Sequence, residues 1–161
     1  MRRRGERGQA LVEFAIVSIV FLMVVFAIMD FALLLQSWVT VQHAAREGAR
    51  YAVTGQVACN GVTDDRPACI TQVAKRATTG LYGGGESGSE VAVSYESWDY
   101  ENGFADPPKP NDPGAQCDAI EVDVSYTYHF VTPFLKALAP GGLALAGRQR
   151  MLNEPFGPCS S

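Results

Sequence analysis

The sequence predicts an α+β protein in which a long N-terminal transmembrane helix continues into a small domain with an antiparallel sheet and one or two short helices. Three observations predict this class: a basic leader precedes a bilayer-length apolar run, the helical pattern continues beyond that run without proline, and the second half contains segments of alternating apolar and polar residues. We divide the chain into a leader at 1–8, a helix at 9–55 and a domain at 56–161.

The apolar run from Leu11 to Met29 approaches the roughly 20 residues that a helix needs to cross a bilayer. A cleavable secretory signal has a shorter apolar core and an A-x-A-like exit, and neither is present. We therefore expect the run to stay with the mature protein. The arginines of the leader predict that the N-terminus lies in the cytoplasm and that the domain is translocated.

One carboxylate, Glu13, lies within this run, where an acidic side chain costs roughly 2–3 kcal/mol or more. If the chain is cut after Gly8, the new amine of Gln9 and the carboxylate of Glu13 lie about one helical turn apart. In a bundle, Glu13 of one subunit can then pair with the terminal amine of a neighbour. A position at the headgroup boundary, with no such role, is the alternative.

The helix is expected to project well beyond the membrane, because no proline occurs between Leu11 and Ala52, a length of roughly 60 Å. Ala44, Gly48 and Ala52 recur every four residues and form a face of minimal bulk, against which another backbone can pack closely. We predict that this face packs on the protein's own sheet, with a partner helix as the alternative. Asp30 is interpreted as the outer membrane–water boundary, with pairing to a neighbouring subunit as the alternative.

A short helix is predicted to begin at the capping region 64–67 and to continue through apolar residues at helical spacing as far as Leu81. Either Gly80 or Gly83 is expected to end it, and residues 83–89 are expected to form a flexible surface loop. Alternation and turn residues predict the remaining elements: strands near 91–96, 120–130 and 143–153, a helix at 134–139, and an exposed connection at 99–116.

All four cysteines lie in the predicted translocated part, and an even number there indicates disulfides. Three connectivities are possible. We favour Cys59 with Cys69, which closes a short loop, and Cys117 with Cys159, which ties the last strands to the C-terminal tail.

The composition favours a non-enzymatic protein with no catalytic residue, metal or cofactor. Only His43 and His129 are available as histidines, no C-x-x-C pair occurs, and no nucleophile–base arrangement is recognisable. A net charge of −4 without a basic cluster in the domain argues against nucleic acid.

The acidic connection is a minor calcium alternative, although its spacing departs from a calcium-loop motif. Three aromatic residues lie in or directly before this connection: Trp98, Tyr100 and Phe104. They are interpreted either as an exposed adhesive or subunit-contact surface or as cover for the core.

The first third of the chain resembles the TadE/TadG-like family of the tight-adherence (Tad) pilus system. The resemblance rests on R-G-Q-A-L-V-E-F at 7–14, on Asp30-Phe31 after the apolar run, and on A-A-R-E-G-A-R-Y-A at 44–52. Ala32 departs from the family, which often has glycine after the Asp-Phe pair.

The resemblance implies a pseudopilin or minor pilin with a small pilin-like domain, made as a single-pass precursor in the inner or plasma membrane and used to assemble adhesive pili. It implies that a prepilin peptidase cuts after Gly8, that Gln9 is the mature N-terminus, and that Glu13 is the assembly carboxylate. Phe14 takes the place of a tyrosine in major pilins. Other Tad pilins, the peptidase and membrane lipid are the expected partners. A tethered extracytoplasmic binding domain, or an envelope or secretion assembly factor outside any filament, is the alternative.

Overall fold

The computed structural model describes residues 4–61, 64–81, 91–155 and 159, with side chains from Gly8 onward. The elements in chain order are α1 (Arg4–Val53), α2 (Arg66–Ala77), β1 (Val91–Trp98), β2 (Lys109–Pro110), β3 (Ala119–Tyr128), α3 (Pro133–Leu138) and β4 (Leu143–Leu152). The strands form one antiparallel sheet in the order β2–β1–β3–β4. A long apolar helix followed by a small domain with this sheet confirms the predicted α+β class.

Helix α1 contains 50 residues and is therefore roughly 75 Å long. Its first half is exposed along almost its whole described length, with α3 beside residues 23–27, whereas its second half is packed against α2 and the sheet. The helix ends at Val53, two residues before the predicted boundary at 55. This division separates an apolar stem from a domain built around the upper part of the same helix.

Strand β3 is the centre of the sheet, because it pairs along its full length with β4 and over eight residues with β1. Its alternate residues from Ile120 to Tyr128 are buried against α1, as the alternation predicted. The strand ends at Tyr128, which pairs with Leu143 at the start of β4, rather than at Phe130. Farther along the chain, the backbone N–H groups of Val131 and Thr132 donate to Asp30 of α1.

The predicted exposed connection contains a short strand that the pattern did not indicate. Lys109 and Pro110 of β2 pair with Ser97 and Glu96. Strand β1 extends to Trp98, which pairs with Ala119 of β3. Proline lacks a backbone N–H and is tolerated at the edge of a sheet, which is where β2 lies.

Helix α2 begins as predicted but ends earlier than either predicted glycine. The Asp65 side chain caps it by accepting a hydrogen bond of 2.9 Å from the N–H of Ala68. At the other end the Thr78 hydroxyl donates to the carbonyl of Lys75 at 2.6 Å, and the turn that follows places Gly80 at a φ of +95°. The helix is therefore complete at Ala77. Gly83 and the predicted loop at 83–89 lie outside the described residues.

The two disulfides have the connectivity that the sequence analysis favoured. Cys59 is bonded to Cys69, which joins the segment after α1 to the first turns of α2, and Cys117 is bonded to Cys159, which joins the approach to β3 to the C-terminal tail. Both bridges fasten irregular segments to the core.

Small residues allow α1 to lie directly on the sheet and on α2. Ala44, Gly48 and Ala52 are buried within the protein's own domain, as predicted, and a Cβ atom at Gly48 would come within 3.1 Å of Ala74 Cβ and Val122 Cγ1. The closest approach is at Gly147 of β4, where an added Cβ would lie 2.7 Å from the carbonyl oxygen of Val41.

We expect Gly147→Ala to lower the free energy of unfolding of the domain by about 1–3 kcal/mol, because the new methyl group can be accommodated only by moving backbone against backbone. Thermal unfolding in detergent, followed by near-ultraviolet circular dichroism, measures the change. Gly141→Ala is the matched control, since an added Cβ there meets nothing within 4 Å. Equal midpoints for the two variants would contradict the close helix–sheet contact.

Candidate functional site

The apolar half of α1 is the first part of the candidate site. It is the one helix among the described residues that is long and apolar enough to cross a membrane, judged by length and composition. Gly8, Gln9, Glu13 and Phe14 are all exposed on it, and the helix continues without a break through the predicted cleavage point. No hydrogen bond or ion pair from any described side chain reaches Glu13. Its carboxylate is thus without a partner within this part of the chain.

An apolar stripe continues from the level of Glu13 to the outer half of the helix. Phe31 lies 18 residues beyond Glu13, which is five turns of 3.6 residues, so the two share one face. Leu35 and Trp38 continue this face alongside the domain. The side chains of Phe31, Leu35 and Trp38 are all exposed to solvent. We call Glu13 together with these three residues the stem stripe.

Asp30 connects the domain to the apolar half of α1. Its Oδ1 atom accepts hydrogen bonds from the N–H of Val131 at 2.9 Å and from the hydroxyl of Tyr128 at 3.2 Å, and its Oδ2 atom accepts from the N–H of Thr132 at 2.9 Å. The residue is 1% exposed. Asp30 therefore finds its partners within its own chain, and not in the neighbouring subunit that the sequence left as an alternative.

Tyr128, which donates to Asp30, is fully buried. Its burial, together with the negative charge of Asp30 and the hydrogen bond to it, raises the pKa of the Tyr128 hydroxyl to about 12. The neutral hydroxyl that donates to Asp30 is consequently maintained well into the alkaline range. The sequence showed Tyr128 only as one more apolar position of a strand.

Arg66 holds the upper end of α1, a role that sequence reasoning missed. Its guanidinium donates to the carbonyl of Ala52 at 2.7 Å, to the carbonyl of Gly114 at 2.8 Å and to Oδ1 of Asn153 at 3.1 Å. A cation there complements the negative end of the helix dipole. Burial lowers the pKa of Arg66, and the charge of Asp112 opposes this shift. One side chain thus ties together α1, the connection before β3 and the end of β4.

The carboxylates of the acidic connection serve the loop itself. Asp118 accepts hydrogen bonds from the N–H groups of Tyr100 and Ala115, and Asp99 forms an ion pair of 2.6 Å with Lys109. Among the residues that the structure describes, no group of three or more acidic, histidine or cysteine residues could hold a metal. The described residues of the connection therefore do not support a calcium site there.

The aromatic residues near this connection have different surroundings. Trp98 is buried, so it is not part of an exposed contact surface. The guanidinium of Arg150 lies over its ring, 3.6 Å from the ring centroid. Tyr100 and Phe104 stack edge to face with their centroids 6.0 Å apart. Trp98 therefore belongs to the cover of the sheet, the alternative that the sequence left open.

These features define a class of protein: a single long helix carries a small disulfide-bonded domain near its outer end and presents an uncovered apolar stem with one unpartnered acid. Residues 8–50 match the model of a family described as TadE-like protein. Comparisons with curated proteins and with solved structures gave no match. Over this segment, which includes Glu13, Asp30 and Gly48, the chain is similar to TadE-like proteins.

We expect one of the six tyrosines to ionise near pH 12 when tyrosinate absorbance is followed in detergent. Because the folded state raises this pKa above its ordinary value of 10, the corresponding stabilisation is fully present below about pH 10 and is lost as the pH rises through about 12. Asp30→Asn should move the late transition toward the ordinary value, and Tyr128→Phe should remove it.

Asp99→Asn is the matched control, because it removes a carboxylate that is paired elsewhere in the domain. An Asp30→Asn protein with an unchanged late transition would show that Asp30 does not control Tyr128.

Proposed function

We propose that this protein is a pseudopilin or minor pilin that acts in the assembly of Tad pili. It is held by α1 in the cytoplasmic membrane, with the N-terminus inside and the domain outside. Its action is association and not catalysis. The observation that carries the proposal is the unpartnered Glu13 on an uncovered apolar helix, within a segment that is TadE-like.

The energetics favour a partner in another subunit. An acid in the bilayer costs roughly 3 kcal/mol, whereas two opposite charges 4 Å apart attract by about 4 kcal/mol at an effective dielectric constant of 20. The attraction offsets the cost of burial only when the pair forms. Cleavage after Gly8 would provide the cation, because the amine of Gln9 does not exist in the precursor. Glu13 would then set the register of one helix against the next.

The stem stripe supports the same arrangement farther along the helix. Phe31, Leu35 and Trp38 remain uncovered by the domain, although each is a large apolar side chain beyond or at the end of the predicted span. A neighbouring α1 helix, from another Tad pilin, would bury them while its amine reaches Glu13. The partners are therefore other pilins of this system.

The attachment of the domain supports its role as the part that a filament displays. Asp30 and Arg66 bind the domain to α1 at two levels, so a helix placed in a bundle fixes the position of the domain. The two disulfides support an oxidising compartment outside the cytoplasm for this domain.

We expect Glu13→Gln to reduce the amount of this protein in sheared pili by at least about tenfold, the factor that corresponds to about 1.4 kcal/mol, while the amount in membranes is unchanged. Immunoblots of the two fractions measure it. Ser18→Ala is the matched control, since Ser18 lies in the same span but about 140° around the helix from Glu13. Glu13→Asp, which retains the charge, should restore part of the loss.

Two outcomes would contradict parts of the proposal. Normal incorporation of Glu13→Gln would remove the charge-pairing role. A wild-type protein that is confined to membranes and absent from sheared pili would instead identify an assembly factor that does not enter the filament.

Mass spectrometry of the protein extracted from cells with an active prepilin peptidase should show a chain that begins at Gln9. The same cells without the peptidase are the control and should contain the chain from Met1. A chain that begins at Met1 in both would remove the processing step, and with it the amine that the pairing requires.

A further inference from the structure

We propose that α3 lies within the outer leaflet of the membrane and that the groove between α3 and α1 holds a phospholipid acyl chain. Helix α3 and its flanks form a second apolar surface, separate from the stem stripe. This inference concerns the contact of the domain with lipid. It does not depend on whether the chain enters a filament.

The surface of α3 is apolar and uncovered. Val131, Phe134 and Leu138 follow one another at helical spacing and are 54%, 58% and 77% exposed. None of the side chains of α3 is buried, so this helix contributes nothing to the core of the domain. An apolar patch of this kind on one side of a small domain indicates a contact with membrane or protein.

A groove of about 230 Å³ separates α3 from the stem. One wall is formed by four residues of α1: Met23, Val24, Phe26 and Ala27. Phe134 and Leu135 line the other wall, and the lining side chains that the structure describes are apolar except for Thr132. Both walls continue without interruption into exposed apolar surface. The groove therefore opens directly toward the region that lipid tails occupy around α1.

The position of the groove along α1 places it in the outer leaflet. Met23 and Ala27 precede Asp30 by seven and three residues, which corresponds to roughly 10 and 5 Å along the helix axis. Amphipathic helices in membrane interfaces bury their apolar faces to a depth of about 5–10 Å. Because the N–H of Thr132 is bonded to Asp30, α3 is held at this level. Lys136 is exposed on α3 and can extend its ammonium group to the headgroups.

The direction of the groove favours lipid over a second copy of the chain. Met23, Phe26 and Ala27 of its wall lie within about 60° of Asp30 around the helix, and only Val24 lies near the face of the stem stripe, which is centred roughly 100° from Asp30. A neighbouring helix packed on the stem stripe would therefore meet the groove at Val24 and leave the outer surface of α3 uncovered. Lipid surrounds the stem on every remaining side and needs no specific geometry to fill the groove.

Single tryptophan residues in the full chain test the proposal. In a Trp38→Phe/Trp98→Phe background, Phe134→Trp is compared with Phe104→Trp, which places the same probe in the acidic connection. The proteins are reconstituted in phosphatidylcholine vesicles whose acyl chains carry bromine either near the headgroup or near the bilayer centre. We expect the probe at 134 to be quenched at least about twofold more strongly by the shallow bromine than by the deep one, and the probe at 104 by neither.

Three results would overturn the proposal: equal quenching at 134 and 104, stronger quenching at 134 by the deep bromine, or an emission at 134 that shifts to the blue only as the protein-to-lipid ratio rises. The last would show that a second copy covers α3. If the background fails to give a cooperative unfolding transition, the same comparison is made with both native tryptophans retained, as the difference in quenching from wild type.

Discussion

The structure depends on the contact between Asp30 and the segment that follows β3. Asp30 is the acid at the outer end of the apolar span, and three donors from residues 128–132 satisfy its two oxygens. This contact holds the segment between β3 and α3 against α1 and fixes the height of the domain along the helix. In the proposed orientation the lower face of the domain would lie at the membrane, while the rest of the sheet follows the upper half of the helix.

The second constraint is the lack of bulk on the domain side of α1. Alanine and glycine at 44, 48 and 52 and the glycine at 147 let the backbone of the helix approach the sheet and α2 directly. With Arg66 at the end of the helix, the domain is held at its base, along its length and at its top. The apolar stem, by contrast, has no covering within the described chain, so its surface is left to lipid and to neighbouring helices.

Periodicity predicted most of the fold from local information. The apolar run, the small-residue face, α2 with its Asp65 cap, the alternation of β3 and the short α3 all depend on residues close together in the chain. The errors arose where distant residues decide. The two residues of β2 become a strand only because β1 offers its edge, and β3 ends at Tyr128, where its pairing with the first residue of β4 ends. The roles of Arg66 and Tyr128 were missed for the same reason: their partners lie far away in sequence. Glu13 could be recognised from the sequence because the features that mark it, the apolar run and the nearby Gly8, are its neighbours in the chain.

The donors that satisfy Asp30 come from a part of the chain that is synthesised about one hundred residues after it. In the orientation proposed above, α1 would reside in the bilayer with an unpaired carboxylate at its outer edge until most of the polypeptide had crossed. Because an unpaired carboxylate is more favourably solvated by water than by lipid, it would oppose movement of α1 deeper into the bilayer during this interval. Once the late segment arrived, its three donors would satisfy Asp30, and the domain would reach its final height along α1 only when its folding was nearly complete.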